Sequence, residues 1–424
     1  MICLVQRRFW FLTLIVFMLA GCISPDNSTV EGTGTPDVTG CSSIDGVADG
    51  ADFEPQTAVV HGSDGRTHPD LFYIAWAQLD SRTDLRFPAR GYDDVGYEDK
   101  LLVSRRVSDG TYKTWQVWPP IGSNCQDTEK VRIHSFDVAP DGKSLFVSMS
   151  RAELDNPQKN LGIYRLDIAS QTIQKLSKDN TVDFLNPSYV GNDAIDGHEM
   201  LLVAKTVKGS EITINYGIDL LNNLLLDEYD RDATPLIHKM DTQNGDTVRI
   251  GFNNSHQTEP VATTAPNGTK IIVFNQWEHQ DNTNRFALWK MQIDGSDGFT
   301  FFGQEASTDR RDDGLYSPRI VRSGPYQGYV LMGQRARTNH GFVSEGHILM
   351  TKRVNLDLRS DKVFLQKLDN TTGTDQRISR TPEHYNDQSF AYAYRDTVDN
   401  TYSIYVKDYP TSLTAPLDSA PGTR

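Results

Sequence analysis

The groups able to do chemistry are dispersed along this chain. Ten histidines occur in 424 residues. None forms His-x-His or His-Glu-x-x-His, the spacings that aim two imidazoles at one metal from a single strand or helix. Glu278 beside His279, and His340 with His347, come nearest to a ligand set. They read as surface or loop histidines, and no metal or cofactor is expected. There is no Gly-x-Ser-x-Gly run to build a nucleophile elbow and no glycine-rich loop to cradle phosphate. Asp294-Gly295-Ser296-Asp297 opens like a calcium loop but lacks the later carboxylates such a loop needs, so it reads as a tight turn between strands. No residue is assigned a catalytic role.

One pattern of side chains stands apart. Arg151, Lys205, Arg335 and Arg395 each close an apolar run just before a long polar loop. Trp277, His279, Arg337 and His340 occupy similar places and complete the candidate binding set. Two readings stay open. Each cation pairs with a carboxylate of its own or the adjacent loop, or the set forms a partly cationic mouth for an anionic group of a protein, peptide or glycan.

What carries these residues begins at the N-terminus. Arg7 and Arg8 precede an apolar run, Phe9 to Ala20, broken only by Thr13. A bilayer span needs ~20 apolar residues, so this shorter run reads as a secretory signal. It ends in Leu19-Ala20-Gly21-Cys22, which resembles the lipobox of bacterial lipoproteins. That resemblance implies cleavage after residue 21 and a lipid on Cys22. Residue 23 is Ile where an inner-membrane retention signal has Asp, which points to the outer membrane, facing the periplasm or the cell surface. Residues 22–45 are Ser, Thr, Gly, Pro and Asp with few large apolar side chains; they read as a flexible tether. In an oxidising compartment Cys41 and Cys125 can form one disulfide.

Charge narrows the partners. The signal holds two cations and no acid, so its removal takes the formal charge from −14 to −16. A chain this acidic is a poor candidate for nucleic acid, which demands clustered cations.

The rest of the chain is rich in short apolar runs separated by turn signals such as Asp141-Gly142, Asn267-Gly268 and Asp294-Gly295. Such spacing predicts an all-β fold. Ile218 to Tyr229, with five leucines, is the one stretch that reads as a helix. Two segments repeat. Ser135-Phe136-Asp137-Val138-Ala139-Pro140-Asp141-Gly142 and Val261-Ala262-Thr263-Thr264-Ala265-Pro266-Asn267-Gly268 both run strand, Ala-Pro, Asp/Asn-Gly, strand. Weaker copies start at Glu54-Pro55, Asn186-Pro187, Ser317-Pro318 and Thr381-Pro382, giving starts near 55, 135, 187, 260, 318 and 382. Pro140-Asp141-Gly142-Lys143 followed by Ile163-Tyr164-Arg165-Leu166-Asp167 resembles the repeat of TolB-type β-propellers. The resemblance implies an all-β, six-bladed propeller (five to seven blades) over residues 46–410, with residues 411–424 as a disordered tail. The last blade shows two clear strands and reads as short of an outer one, and residues near 46–53 are expected to supply it and remove an exposed edge.

A TolB-like repeat implies architecture rather than activity. The expectation is an envelope lipoprotein that binds or scaffolds a protein partner through its loop-rich mouth. The alternative is a polysaccharide hydrolase or lyase with a site at that mouth.

Overall fold

The strands form where β-branched and aromatic residues cluster, and the turns form where the sequence supplies Asx-Gly. Gly142 and Gly268 take φ of +65° and +86°. Asp141 Oδ1 accepts the Lys143 amide at 2.9 Å, and Asn267 Oδ1 accepts that of Thr269 at 3.0 Å. Asp294-Gly295-Ser296 is a turn of the same kind, with Asp294 Oδ1 accepting the Ser296 amide and hydroxyl at 2.9 and 2.7 Å.

The computed structural model describes residues 22–23, 51–58, 69–76, 99–106, 112–123, 126–151, 160–192, 197–212, 218–219, 223–228, 230, 233–278, 285–302, 313–336, 346–351, 366–367, 378–395 and 402–411. A two-residue strand β1 (Cys22–Ile23) precedes the first sheet, β2 (Ala51–Ala58), β3 (Asp70–Trp76), β4 (Lys100–Arg106) and β5 (Tyr112–Trp118). The second sheet is β6 (Val131–Val138), β7 (Ser144–Arg151), β8 (Gly162–Asp167) and β9 (Thr172–Lys175). The third begins with β10 (Phe184–Asn192) and β11 (Glu199–Thr206). After a short hairpin, β12 (Ile218–Asp219) and β13 (Leu224–Leu225), it ends with β14 (Pro235–Asp241) and β15 (Thr247–Arg249). The fourth is β16 (His256–Thr264), β17 (Lys270–Glu278), β18 (Arg285–Gln292) and β19 (Phe299–Phe302). The remaining strands are β20 (Asp313–Ile320), β21 (Val330–Ala336), β22 (Gly346–Thr351), β23 (Gln366–Lys367), β24 (Ile378–Asn386), β25 (Ser389–Arg395) and β26 (Tyr402–Asp408).

Each of the first four sheets is an antiparallel meander of four strands. Their first strands, with β20 and β24, follow one another around a channel, and β24 packs against β2. The chain is an all-β propeller. The core is a ring of apolar clusters, each drawn from neighbouring sheets. Phe146 and Ile163 pack with Phe184 and Leu201, Leu202 and Ile237 with Ile272 and Phe274, and Ile271 and Leu288 with Leu315 and Met332. Central strands such as β7 are therefore buried on both faces, and a sheet alone has no covered side.

Three expectations change. Besides the two-stranded hairpin β12–β13, the described residues form five sheets where six blades were expected. β20 to β26 join with β1 into one sheet of eight strands, because Gly346 of β22 and Ile378 of β24 form a single parallel pair. Of residues 46–53, expected as an outer strand, 46–50 lie outside the described residues and 51–53 belong to Ala51–Ala58, the innermost strand of the first sheet. The outer edge beyond β26 is taken by β1, with Cys22 opposite Tyr405 and Ile23 opposite Ile404. The leucine-rich stretch at 218–229 makes the hairpin β12–β13 rather than a helix. Asn223 turns it with φ of +55°, a conformation that breaks a helix, and Leu225 is buried against Val207 and Leu236.

Candidate functional site

The proline marks of the repeat prove to be bulges in the inner strands. Pairing between β10 and β11 slips between Leu185 and Ser188, around Asn186-Pro187. The same slip surrounds Glu259-Pro260 in β16, Ser317-Pro318 in β20, Thr381-Pro382 in β24 and Glu54-Pro55 in β2. In β6 the bulge falls at His134, without a proline. A proline cannot donate to the ladder, so a bulge is one of the few places in a sheet where it fits.

Asn186, Glu259, Ser317 and Thr381 adopt φ of +47°, +53°, +51° and +43°. Residues before proline normally stay extended, and left-handed backbone at such positions costs on the order of 1–3 kcal/mol each. Hydrogen bonds between neighbouring inner strands offset this. The Asn186 amide donates to Ser135 Oγ at 2.9 Å. The Glu259 amide donates to Asn186 Oδ1 at 3.3 Å. The Ser317 amide and hydroxyl donate to Glu259 Oε2 and Oε1 at 2.7 and 2.9 Å. Asn186 and Glu259 thus each receive, on the side chain, the amide of the next bulge around the channel. At the following bulge, Thr381 Oγ1 is buried without a hydrogen-bond partner among the described residues.

Just beyond the bulges, towards the ends of the inner strands, lies a cavity of about 240 Å³. β6 supplies Asp137 to it, β10 supplies Pro187 and Tyr189, β16 supplies Pro260 and Val261, and the end of β20 supplies Arg319 and Arg322. Asp137 lies deep in the molecule yet keeps exposed surface, because what it is exposed to is this cavity. Its Oδ1 accepts the Val138 amide at 2.9 Å and its Oδ2 the Tyr189 amide at 2.6 Å. Behind the cavity Glu383 is fully buried and faces two guanidiniums. Arg322 Nη2 lies 2.9 Å from its Oε1 and Arg319 Nε 3.1 Å from its Oε2.

Burial raises the pKa of both carboxyls. For Asp137 it outweighs the pull of Arg322, the Tyr189 amide and Arg319. For Glu383 it outweighs Arg322 and Arg319, and the negative charge of Asp137 adds to it. Beside Glu383, His384 is bonded to Ser323 Oγ through Nε2 and to the Tyr409 hydroxyl through Nδ1, each at 3.0 Å. Burial, with Arg322 nearby, holds its imidazole down to about 4. Chemically, the site is a pair of guanidiniums against one buried carboxyl, Glu383, with a second, Asp137, at the cavity, and burial opposes the ionised form of both.

The residues picked out in sequence lie at the other end. Val131 is opposite Arg151, Phe184 opposite Lys205, His256 opposite Trp277, Gly314 opposite Arg335 and Ile378 opposite Arg395. All five therefore sit level with the beginnings of inner strands, away from the cavity. Arg151 Nε donates to Glu129 Oε2 at 2.6 Å. Lys205 Nζ donates to Glu211 Oε1 at 2.8 Å, and His238 Nε2 is 3.6 Å from the same carboxylate. Burial raises the Glu211 pKa, but His238 and Lys205 outweigh it and hold the group at about 2. Trp277 stacks on Phe286 at 5.1 Å and meets His256 edge-on. His279, Arg337, His340, Cys41 and Cys125 lie outside the described residues, as do the side chains of Arg335 and Arg395. Among the described residues no three His, Cys, Asp or Glu side chains are grouped to hold a metal ion. Asp137, Glu259, Arg319, Arg322 and Glu383 escaped the sequence reading. Their signal is position: a charge within four residues of an X-Pro pair, in an inner strand or just after it.

No protein-family model and no curated protein matches the chain. Among solved structures, hydrazine synthase of Kuenenia stuttgartiensis superimposes with a TM-score of 0.55 at 12% identity, over 81% of this chain and 44% of that one. The chain thus spans less than half the length of that relative. A putative TolB from Agrobacterium tumefaciens aligns at 16% identity, over 74% of this chain and 87% of that one, with a TM-score of 0.40. The Hadza microbial sialidase Hz136 aligns at 12% identity, over 84% and 66%, with a TM-score of 0.48. What the chain shares with these proteins is the fold, an all-β propeller.

Proposed function

We propose that this protein is a lipid-anchored propeller of the cell envelope that binds a protein partner and does no chemistry on it. The observation that supports this reading best is the commitment of the channel carboxyls. Asp137 holds two backbone amides and Glu383 holds two guanidiniums. A carboxyl that shuttles protons needs an oxygen within reach of substrate, whereas these oxygens tie neighbouring inner strands together. The eight-stranded sheet works as two blades, β20–β23 and β24–β26 with β1, which gives six blade units around the channel. The anchor is the lipid on Cys22, and a Cys41–Cys125 disulfide tethers the N-terminal segment to the loop after β5. The test is a crosslinked pull-down of the mature protein from its native membrane, read by mass spectrometry. Enrichment of one envelope protein over a Cys22→Ala control supports the reading; recovery of no protein above that control sinks it.

A second reading, a polysaccharide hydrolase or lyase, is favoured by the raised pKa of Asp137 and Glu383, the property of a general acid. Release of reducing ends or unsaturated products from a polysaccharide panel, abolished by Asp137→Asn, would establish it.

A further inference from the structure

We infer that the outer edge formed by β26 and β1 is a membrane-contact surface. The propeller lies on its side against the bilayer that holds its lipid, with both mouths open sideways. The inference rests on the lipid anchor at Cys22 and goes beyond it by fixing which face meets the headgroups.

Three observations carry it. The first is the place of Cys22 in the sheet. β24 lines the channel, and β25, β26 and β1 follow it outward, so β1 is the outermost strand on that side among the described residues. Of its two residues, Cys22 is the first of the mature chain and the one that bears the lipid. Residues 24–50 connect β1 to β2, two strands of the same body. They do not stand between the lipid and the propeller, as a tether would. The acyl chains therefore start at the rim itself.

The second is height. Cys22 is opposite Tyr405, and Ile23 is opposite Ile404. Tyr405 is the middle residue of β26, which spans Tyr402–Asp408. The strands run from mouth to mouth, so this point lies midway between the two ends of the channel. A lipid attached near one mouth would turn that mouth to the bilayer. Attached midway along an outer strand, it sets the channel axis along the membrane plane.

The third is the chemistry around that point. Tyr405 and Tyr394 are partly buried, with their rings edge-on at 5.0 Å, and Tyr392 lies 6.1 Å from Tyr405. Behind them Phe390 and Tyr409 join Leu331, Ile348 and Met350 in one apolar cluster, which fixes the rings in place. Tyrosine is enriched at membrane–water interfaces because its ring suits the acyl boundary and its hydroxyl the headgroups. A ladder of two residues holds weakly by itself. Acyl chains in the bilayer and aromatic rings at its surface hold the same edge together from outside.

The experiment uses the mature lipidated protein in phosphatidylethanolamine/phosphatidylglycerol vesicles. These carry a phospholipid with a photoreactive diazirine at the headgroup–acyl boundary. Intact mass first reports the acyl chains on Cys22. After illumination, peptide mass spectrometry maps the lipid adducts. Adducts within residues 389–408 should exceed several-fold those at the Asp141-Gly142 and Asn267-Gly268 turns of one mouth and at residues 126–130 of the other. A second sample has about ten Gly/Ser residues inserted between Cys22 and Ile23, which frees the lipid from the strand. It should lose the adducts at 389–408 several-fold with an unchanged melting temperature. Adducts concentrated at either mouth, spread evenly over the surface or absent altogether overturn the orientation, while the acylated mass leaves the anchor standing. Labelling at 389–408 that the insertion leaves unchanged overturns it too. A mass without acyl chains overturns the anchor, and the orientation with it.

Discussion

The two ends of the channel use the same side chains in different ways. At the end where the inner strands begin, Arg151 and Lys205 are paired with Glu129 and Glu211, 22 and 6 residues away. At the end with the cavity, Arg319 and Arg322 reach Glu383, more than sixty residues away in the next inner strand, and Asp137 receives an amide from Tyr189 of β10. Short-range pairs hold a sheet to its own loop. Long-range pairs hold neighbouring inner strands to each other, and these define the cavity. The cations conspicuous in the sequence whose side chains are described, Arg151 and Lys205, are thus held close along the chain, and those at the cavity are held from sheet to sheet. What distinguishes the two sets is how far along the chain the counter-ion lies.

The contrast would break most visibly at Glu383. Replacing it by Ala takes the buried carboxyl away from Arg319 and Arg322, and removal of one partner from a buried pair costs about 3–5 kcal/mol. Glu383→Ala is expected to lower the melting temperature more than any other substitution named here. A loss below about 1 kcal/mol would mean that the inner strands hold together without this network.

Next comes a dependence on pH. His384 sits beside Glu383, packed on Tyr409, and faces Arg322 and Asp387. In the unfolded chain its imidazole takes a proton as pH falls through about 6.5; in the fold it does so only near 4. Between these values the unfolded state binds more protons, so this residue's contribution to stability is complete above about pH 6.5 and is lost as pH falls towards 4. At 1.36 kcal/mol per unit the loss is on the order of 3 kcal/mol. Asp137 and Glu383 act with the opposite sign. Their folded pKa values are raised, so the fold gains on protonation as pH falls towards the unfolded carboxyl range. The His384 share is isolated by difference. The melting temperature of wild type should exceed that of His384→Gln at pH 7.5, and the gap should close by pH 4.5. A gap that stays constant would show that His384 does not titrate as its burial requires.

The bulge-to-bulge hydrogen bonds should matter less. Glu259→Ala removes the acceptor of both the Ser317 amide and its hydroxyl while leaving a non-glycine residue at φ of +53°. Loss of the bonded partner of a buried amide costs about 1–3 kcal/mol. A chemical-denaturation midpoint unchanged from wild type would show that the bulges are held by strand packing alone.

The sequence disclosed the frame of this site but not its contents. The X-Pro pairs at 54, 186, 259, 317 and 381 mark inner-strand bulges because proline tolerates few other positions in a sheet. Which side chains face the channel depends on the bulge itself, since one extra residue reverses the alternation of faces. Read with strict period two, Arg319 and Glu383 are merely polar residues in strands. The eight-stranded sheet was likewise beyond reach, because it depends on one parallel pair, Gly346 with Ile378, between residues that carry no pairing signal. The 218–229 stretch misled because its leucines satisfy a helix count, while Asn223 commits the backbone to a turn.

The smallest effect belongs to the other end of the channel. Arg151 and Glu129 are partly exposed, at 18% and 15%, and solvent screening limits such pairs to about 1 kcal/mol or less. Arg151 also lies over the Tyr164 ring at 6.0 Å, an edge-of-range contact that adds little. Arg151→Gln is therefore expected to shift the melting temperature only slightly. The triple change Arg151→Gln, Arg335→Gln and Arg395→Gln tests whether these level positions act together. If they form a cationic surface for a partner, pull-down recovery should fall while melting stays near that of the single variant. If each is held by a counter-ion as Arg151 is by Glu129, the three small losses should add and recovery should change only as far as unfolding requires. A triple variant that melts far below the sum of the single ones would break the contrast itself, because it would mean that this end, too, is coupled from sheet to sheet.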